Sequence, residues 1–417
     1  MAIININSDA TLLATTSLND GDTILFKTGT TFDASKIAAD LLTKDNITVG
    51  YYGTGAKPII SGAVTRLGNT FTQLAGDIWY FDTGHTKGGC ISEDGVMLKF
   101  TPWIYNAVST AQSLADSLAS MVVGSFLIDA KTVPANQRFY IRISSGTPAG
   151  KTYIVSETKH GFLTTNTVKT GLNISNIQFE YLSVGSVFVG ERTNTVIDGV
   201  DSYKIGGNYL ITGGDGTVYH YGNAIQIEKA TYNFTVKNCI AEDIFDSAYT
   251  TQSFEADSIS SDGLFQNNIA RRCGMSAFEA AIATTADNQL IKNMYVDGLV
   301  AEDIGMNCWA GNRGGDVIKM LIAAPTWNKR VTNCTFENIE ATNSQSIVKT
   351  GFVKGTNIFL NIYGNNVTNL VVEDGVAATI VNQYYNFTDN LGRNLSAFTT
   401  WDETPGIALP TRTILSR

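Results

Sequence analysis

Val236-Lys-Asn238-Cys-Ile-Ala-Glu-Asp-Ile244 returns as Phe265-Gln-Asn267-Asn-Ile-Ala-Arg-Arg-Cys273, Ile291-Lys-Asn293-Met-Tyr-Val-Asp-Gly-Leu299 and Val331-Thr-Asn333-Cys-Thr-Phe-Glu-Asn-Ile339. The four asparagines lie 29, 26 and 40 residues apart. With a rung near 26, the last interval holds one rung plus a loop of roughly 14 residues. A weaker copy, Ile174-Ser-Asn176-Ile-Gln-Phe-Glu-Tyr-Leu182, lies upstream, and Asn365-Asn-Val-Thr-Asn369 continues the series downstream. Apolar residues alternate with polar ones inside each copy, which is the period of a strand. Asn and Gly supply the left-handed corners at which such a chain turns. Short strands repeating at this interval bury an apolar face only by stacking, with rungs about 4.8 Å apart. The expected fold is all-β, a right-handed parallel β-helix, with a ladder of Asn amides satisfying one another at a corner.

Composition agrees. The 417 residues are 43% hydrophobic and only 16% charged, with 39 Gly and 7 Pro, so a large core of strands and turns is expected rather than disorder. The net charge of −9 argues against nucleic acid and anionic membranes as partners, since both are bound through basic surfaces. Met1-Ala-Ile-Ile-Asn-Ile-Asn7 lacks a basic region followed by a long apolar run, so neither a signal peptide nor a membrane span is expected. Cys90, Cys239, Cys273, Cys308 and Cys334 are odd in number and form no Cys-x-x-Cys pair, and the three histidines are far apart in sequence. No disulfide framework, zinc site or other cofactor is called for, and the cysteines read as small buried hydrophobes.

Four segments follow. Residues 1–84 hold the first coils, with Gly21-Asp-Thr-Ile-Leu-Phe-Lys27 a strand and Asp33-Ala-Ser-Lys-Ile-Ala-Ala-Asp-Leu-Leu42 an amphipathic helix that caps the open end of the solenoid. Residues 85–165 break the repeat and read as an inserted α/β subdomain, with a helix over 109–121 and a hairpin-like run from Phe139 to Val155. Residues 166–375 carry the regular coil, and 376–417 a C-terminal cap or oligomerisation tail.

Gly21-Asp-Thr-Ile-Leu-Phe-Lys27 with Asn46-Ile-Thr-Val-Gly-Tyr-Tyr-Gly-Thr-Gly-Ala-Lys-Pro-Ile-Ile60, followed by the Asn-bearing rungs, resembles the pectate-lyase-like β-helix superfamily. The inserted subdomain and the missing signal peptide resemble bacteriophage tailspike depolymerases within it. That resemblance implies a homotrimeric virion protein of the phage tail, in company with other tail proteins, that binds and cleaves a bacterial surface polysaccharide, capsular or O-antigen. No polygalacturonase Asn-Thr-Asp or Gly-His-Gly signature and no pectate-lyase Trp-Ile-Asp-His signature is present, which weighs against those two activities.

The strands after the repeat align as Ala224-Ile-Gln-Ile-Glu228, Ala248-Tyr-Thr-Thr-Gln252 and Ala277-Phe-Glu-Ala-Ala281. Alternation turns Ile225, Tyr249 and Phe278 inward and Gln226, Glu228, Asp246, Thr250, Gln252 and Glu279 outward. Glycoside hydrolysis needs two carboxyl groups flanking the scissile bond, and rungs space such pairs naturally. Glu279, among Ala277, Ala280 and Ala281, is the expected acid, Asp246 the base and Glu228 its substitute. Gln252, Tyr221, Glu255, Asp257 and the loop residues Trp309, Arg313 and Asp316 are the candidate substrate contacts, by stacking and bidentate grip. A lyase on the same scaffold is the second reading, drawing on Tyr219-His220-Tyr221, Arg271 and Arg272, with Asp198, Asp201 and Asp215 as weak calcium candidates. A non-enzymatic receptor-binding protein or adhesin is the third, in which the outward carboxylates are merely solvated.

Overall fold

The computed structural model describes residues 1–15, 17–38, 41–105, 109–133, 136–144, 146–164, 168–212, 218–253, 255–282, 288–311, 313–322, 329–351, 355–374, 381–389 and 394–399. One face of the coil runs through β1 (Thr158–Leu163), β2 (Leu182–Gly190), β3 (Asn223–Glu228), β4 (Ser247–Ser253), β5 (Ser276–Ile282) and β6 (Asp316–Ile322) and continues through Ser346 and Val348. Each pairs in parallel with the next. A second face runs through Arg192–Asp198, Tyr232–Lys237, Ile259–Gln266 and Leu290–Asp297, and a third through Asp201–Ile205, Ile240–Ile244, Ile269–Arg271 and Val300–Glu302. The fold is a right-handed parallel β-helix with three strands per coil, as the repeat requires.

The core lies inside the coil. Ile225, Tyr249, Phe278, Ile318 and Val348 stack in register. Phe234, Phe265, Phe278, Phe336 and Phe359 form a run of ring contacts 4.9–5.6 Å apart. Each buried aromatic contributes about 1.5–3 kcal/mol by leaving water. All five cysteines are buried and free, and Cys239 and Cys334 each donate a backbone N–H to an inward Asn, Asn268 and Asn357.

The corners differ from the sequence reading. Asn238 and Asn267 stack on Gly298 at one corner, whereas Asn293 and Asn333 stack with Asn194, Asn233 and Asp262 at another, five residues earlier in the coil. The 26-residue interval between Asn267 and Asn293 is therefore not a coil, and the positions 194, 233, 262, 293 and 333 give true coils of 39, 29, 31 and 40 residues. Both corners hold φ near +55°, the left-handed region that Asn and Asp tolerate, so the residue type alone does not say which corner it serves. The amide ladders themselves form: Asn233 Nδ2 donates to Asn194 Oδ1 at 2.6 Å and Asn293 Nδ2 to Asp262 Oδ1 at 2.8 Å.

The N-terminal helix is Asp9–Ala14, started by the Ser8 side chain, while the described residues of 33–42 hold a 3-10 turn over Ala34–Lys36 rather than an α-helix. Leu41 and Leu42, with Phe32 of the strand Thr31–Asp33 just before, pack into the core of the coil instead. Arg192, buried inside, donates to the carbonyls of Leu42 and Lys44 and ties this end to the coil. Strands from Ala63 to Ser156 build two small sheets beside the coil, drawing on residues upstream of position 85. Arg138–Arg142 and Thr152–Ser156 belong to different sheets, so Phe139–Val155 is not a hairpin; the helix, Thr110–Ser120, lies where the sequence places it. Phe126, Phe139, Phe245, Phe100 and Trp309 form a second core between these sheets and the coil. At the C-terminal end Val381–Asp389 adds one more parallel strand and Asn394–Thr399 folds back antiparallel on it; the rest of the tail lies outside the described residues.

Candidate active site

The register of the strand face puts Phe188, Gln226, Thr250, Glu279 and Lys319 in one outward column and Gly190, Glu228, Gln252 and Ala281 in the next. Ser247, Ser276, Asp316 and Ser346 form a third. The in-and-out pattern read from sequence is the one observed, and Asp246 immediately precedes β4 with its carboxyl on this face, near enough to feel the charge of Glu279. What alternation did not show is that this outer face is nearly sealed: Glu228, Asp246, Glu279 and Asp316 are only 3–6% exposed.

Glu279 is held by donors. Lys319 Nζ stands 2.9 Å from Oε1, while Ser247 Oγ and Gln252 Nε2 donate to Oε2 at 3.2 and 3.1 Å. Because Ser247 gives its proton to Glu279, its 2.7 Å contact with Ser276 Oγ is donated by Ser276. Ala277 and Ala280 point into the core, so the apolar pocket expected around Glu279 is absent, and the neighbour that matters is the lysine one rung on. Burial works against the Lys319 ammonium, but Glu279, Asp246 and Asp316 outweigh it and hold its pKa above the usual lysine value.

Asp246 sits one rung before Glu279. Arg313 Nε donates to Oδ1 at 2.8 Å and the Gly222 backbone N–H to Oδ2 at 2.9 Å. Its pKa is nevertheless raised: burial dominates, Arg313 and Gly222 oppose it, and the charge of Glu279 adds to the rise. Arg313, stacked 4.2 Å from the Phe245 ring, thus clamps a carboxylate of the protein rather than one of a sugar.

Asp316 is one rung beyond Glu279. Burial lifts it to about 6; the Ser346 hydroxyl on Oδ1, Lys349 and Lys319 pull the other way, and Glu279 adds to the rise. Its Oδ2 is buried without a hydrogen-bond partner among the described residues, as is Thr250 Oγ1 in the column beside it. Unmet buried polar atoms are rare and call for a missing partner. Glu228 is likewise pushed by burial to about 7, against the pull of Lys229 and of Gln226, whose Nε2 donates to it at 3.2 Å. Tyr221 is close enough that Glu228 and Asp246, after burial, raise its phenol.

The remaining candidates lie elsewhere. Trp309 is 4% exposed, packed against Phe126 and Phe245 with Nε1 donating to the Asp243 carbonyl, so no sugar stacks on it. Glu255 pairs with Lys229 at 2.9 Å, and Asp257 is a left-handed corner residue bound by Asn288. His220 bonds the Gly207 carbonyl and is caged by Phe100, Tyr209 and Phe245; burial depresses it to about 4. Arg271 pairs with Glu302, and Arg272 with Glu242 and Asp243, on another face. Asp198 pairs with Lys237 and Asp201 with Lys57, Asp215 lies outside the described residues, and no cluster suited to a metal ion occurs among those described. Lys319, Ser247 and Ser276 escaped the sequence reading; an outward lysine in register with Glu279 was the available signal.

No family model matches the chain, and no curated relative matches it in sequence. Among solved structures it is similar to XylC in complex with xylose, at 10% identity over 98% of this chain and 73% of that one, with a TM-score of 0.44. It is also similar to a hyperthermoactive exopolygalacturonase from Thermotoga maritima, at 9% identity over 93% and 84% with a TM-score of 0.42. Endopolygalacturonase I from Stereum purpureum, complexed with two galacturonate, gives 11%, 94%, 93% and 0.33.

Proposed function

We propose that this chain is a β-helical polysaccharide depolymerase that hydrolyses glycosidic bonds at the Asp246–Glu279–Asp316 face. The observation that carries the reading is Asp316: a buried carboxyl lifted to about 6, one oxygen unpartnered, beside a lysine-held Glu279. A carboxyl that keeps its proton up to about pH 6, well above the ordinary carboxylate range, is what a general acid requires. Ser247, next to Asp246, is in register with Asp316 across two rungs, roughly 9.6 Å of backbone, at the wide end of the roughly 6.5–9.5 Å carboxyl separation of an inverting site and beyond the roughly 5 Å of a retaining one. Asp246 takes a proton from the water that attacks the anomeric carbon, Asp316 gives its proton to the leaving glycosidic oxygen, and the C–O bond breaks. Glu279, between them, raises both partners. The acid role expected for Glu279 thus passes to Asp316.

The finer reading is of tailspike type: a homotrimer on a phage virion, joined to other tail proteins, acting outside the cell on capsular or O-antigen polysaccharide. It rests on the N-terminal resemblance and the inserted sheets. Incubation with a panel of bacterial capsular and O-antigen polysaccharides is expected to release new reducing ends from at least one, with inverted anomers seen first by NMR. A product absorbing in the ultraviolet shows β-elimination instead, and binding without cleavage of any polymer shows a receptor-binding protein. Light scattering of the purified chain reads the trimer.

A further inference from the structure

Two of the three histidines, far apart in sequence, meet at the first rung of the catalytic face. A cavity of about 500 Å³ is lined by His85, Lys87, Glu157, Lys159, His160 and Leu163, among others. His160 and Leu163 lie on β1, and the register carries them straight to the proposed site. His160 pairs with Gly185 of β2, and Gly185 with Asn223, whose Oδ1 accepts the backbone N–H of Ser247. Leu163 pairs with Phe188, and Phe188 with Gln226, in the column that runs through Glu279 and Lys319. The cavity is therefore on the same outer face as Glu279, four rungs away, roughly 19 Å along the coil. That is the span of several sugar residues laid along the axis.

Its chemistry differs from that of the site. Glu157 is already neutralised, since Arg66 grips both its oxygens and His85 Nε2 bonds Oε2 at 2.8 Å. His85 Nδ1 accepts from the Lys87 N–H, so this ring is spent on structure. Asp33, also in the lining, pairs with Lys36 at 3.7 Å and accepts from the Ser35 N–H, whereas Lys87 and Lys159 have no ion-pair partner among the described residues, so the charge left uncompensated in the cavity is positive. Phe188 is half-buried and outward, with the His160 ring standing edge-on to it at 5.5 Å. His160 Nδ1 is sealed without a partner; burying a bare lone pair costs less than burying an orphaned N–H, so the proton sits on Nε2. Burial, aided by Lys159, holds the ring neutral, with a pKa of about 4.

Building on the depolymerase reading, we propose that this cavity is a distal subsite for a carboxylate-bearing sugar of the same substrate chain. Phe188 stacks on a ring of the chain, His160 donates from Nε2, and Lys87 and Lys159 take the carboxylate. The polymer this predicts is a heteropolysaccharide with an acidic residue several sugars from the bond that is cut, because the catalytic face itself is rich in carboxylates and suits a neutral residue.

The test compares wild type, Phe188→Ala and the double variant Lys87→Glu/Lys159→Glu on uronate-containing and neutral capsular polysaccharides. Both lysines are on the cavity rim, so their exchange does not depend on the core refolding. On the acidic polymer the double variant is expected to raise KM about tenfold with kcat retained, the size of one charge-assisted hydrogen bond, and added salt should shrink the difference. Phe188→Ala is expected to raise KM on whichever polymer is cut. A wild type that cuts acidic polymers while neither variant moves KM overturns the subsite and leaves the depolymerase standing. A wild type that cuts only neutral polymers overturns the acidic-sugar assignment. No cleavage of any polymer overturns the depolymerase reading, and the subsite with it.

Discussion

Acids at the coil corners and acids on the strand face behave in opposite ways, although they sit on one solenoid a few residues apart. At the corners Asp262 is open to water, and the Ser261 hydroxyl and Asn293 amide hold its carboxyl below the usual aspartate value. Asp198 shares its exposed Lys237 partner at 3.3 Å with both side chains about a third exposed. On the face, Asp246, Asp316 and Glu228 are raised, and burial is the leading cause each time. The difference is one of desolvation, since both groups have cations or amides at hand. Corner acids complete ladders that close the turn of each coil; on the face, Asp316 and Glu228 keep protons to higher pH, where chemistry can use them.

The largest test of that contrast is catalytic. Asp316→Asn and Glu279→Gln are each expected to lower kcat by about 10²–10⁴-fold in a reducing-end assay, whereas Asp262→Asn should leave kcat within about twofold. Equal losses at corner and face would erase the distinction. Next comes Arg313→Met, which strands Asp246 without its cation and is expected to cost about 3–5 kcal/mol of stability in urea titration. Lys237→Met, at the exposed Asp198 pair, is expected to cost about 0–1 kcal/mol.

The pH dependence sharpens the comparison further. The folded state raises Asp316 to about 6 and Glu228 to about 7, so the folded protein binds more protons than the unfolded chain above the ordinary carboxylate range. Their stabilisation is present at lower pH and lost as pH climbs through 6 and then 7, on the order of 3 kcal/mol for Asp316. Asp262, being lowered, contributes above the ordinary aspartate value and loses that contribution as pH falls. Thermal melts from pH 4 to 8 should therefore show a downward slope that Asp316→Asn and Glu228→Gln remove. With Asp316 as the acid, kcat/KM should also decline above about pH 6. The smallest effect is expected at a corner: Asn293→Ala, forced to keep φ near +56°, should lose about 1–2 kcal/mol, Asn293→Gly less, and neither should alter kcat.

The strand alignment through Ile225, Tyr249 and Phe278 was legible because alternation is a local property: neighbouring peptide units send side chains to opposite sides whatever lies across the coil. The Asn alignment mixed two corners because Asn238 and Asn293 satisfy the same left-handed requirement. The cap helix was misplaced because Asp33–Leu42 has helical spacing, but Leu41 and Leu42 are drawn into the core of the coil, which spacing along the chain does not show. Trp309 stood as a candidate for sugar stacking, with inward packing equally open, because its loop is longer than its counterparts; only the sheets of the inserted segment show that it is covered.

By itself the sequence determined the solenoid, its inward and outward residues and the carboxylates of one face, since period and residue type suffice for each. Tertiary structure alone decided what those carboxylates are. Lys319 reaches Glu279 from 40 residues on and Arg313 reaches Asp246 from 67, across loops whose lengths no period predicts. Burial that lifts Asp316 depends on everything packed around it, and a pKa is a property of surroundings that no single residue carries.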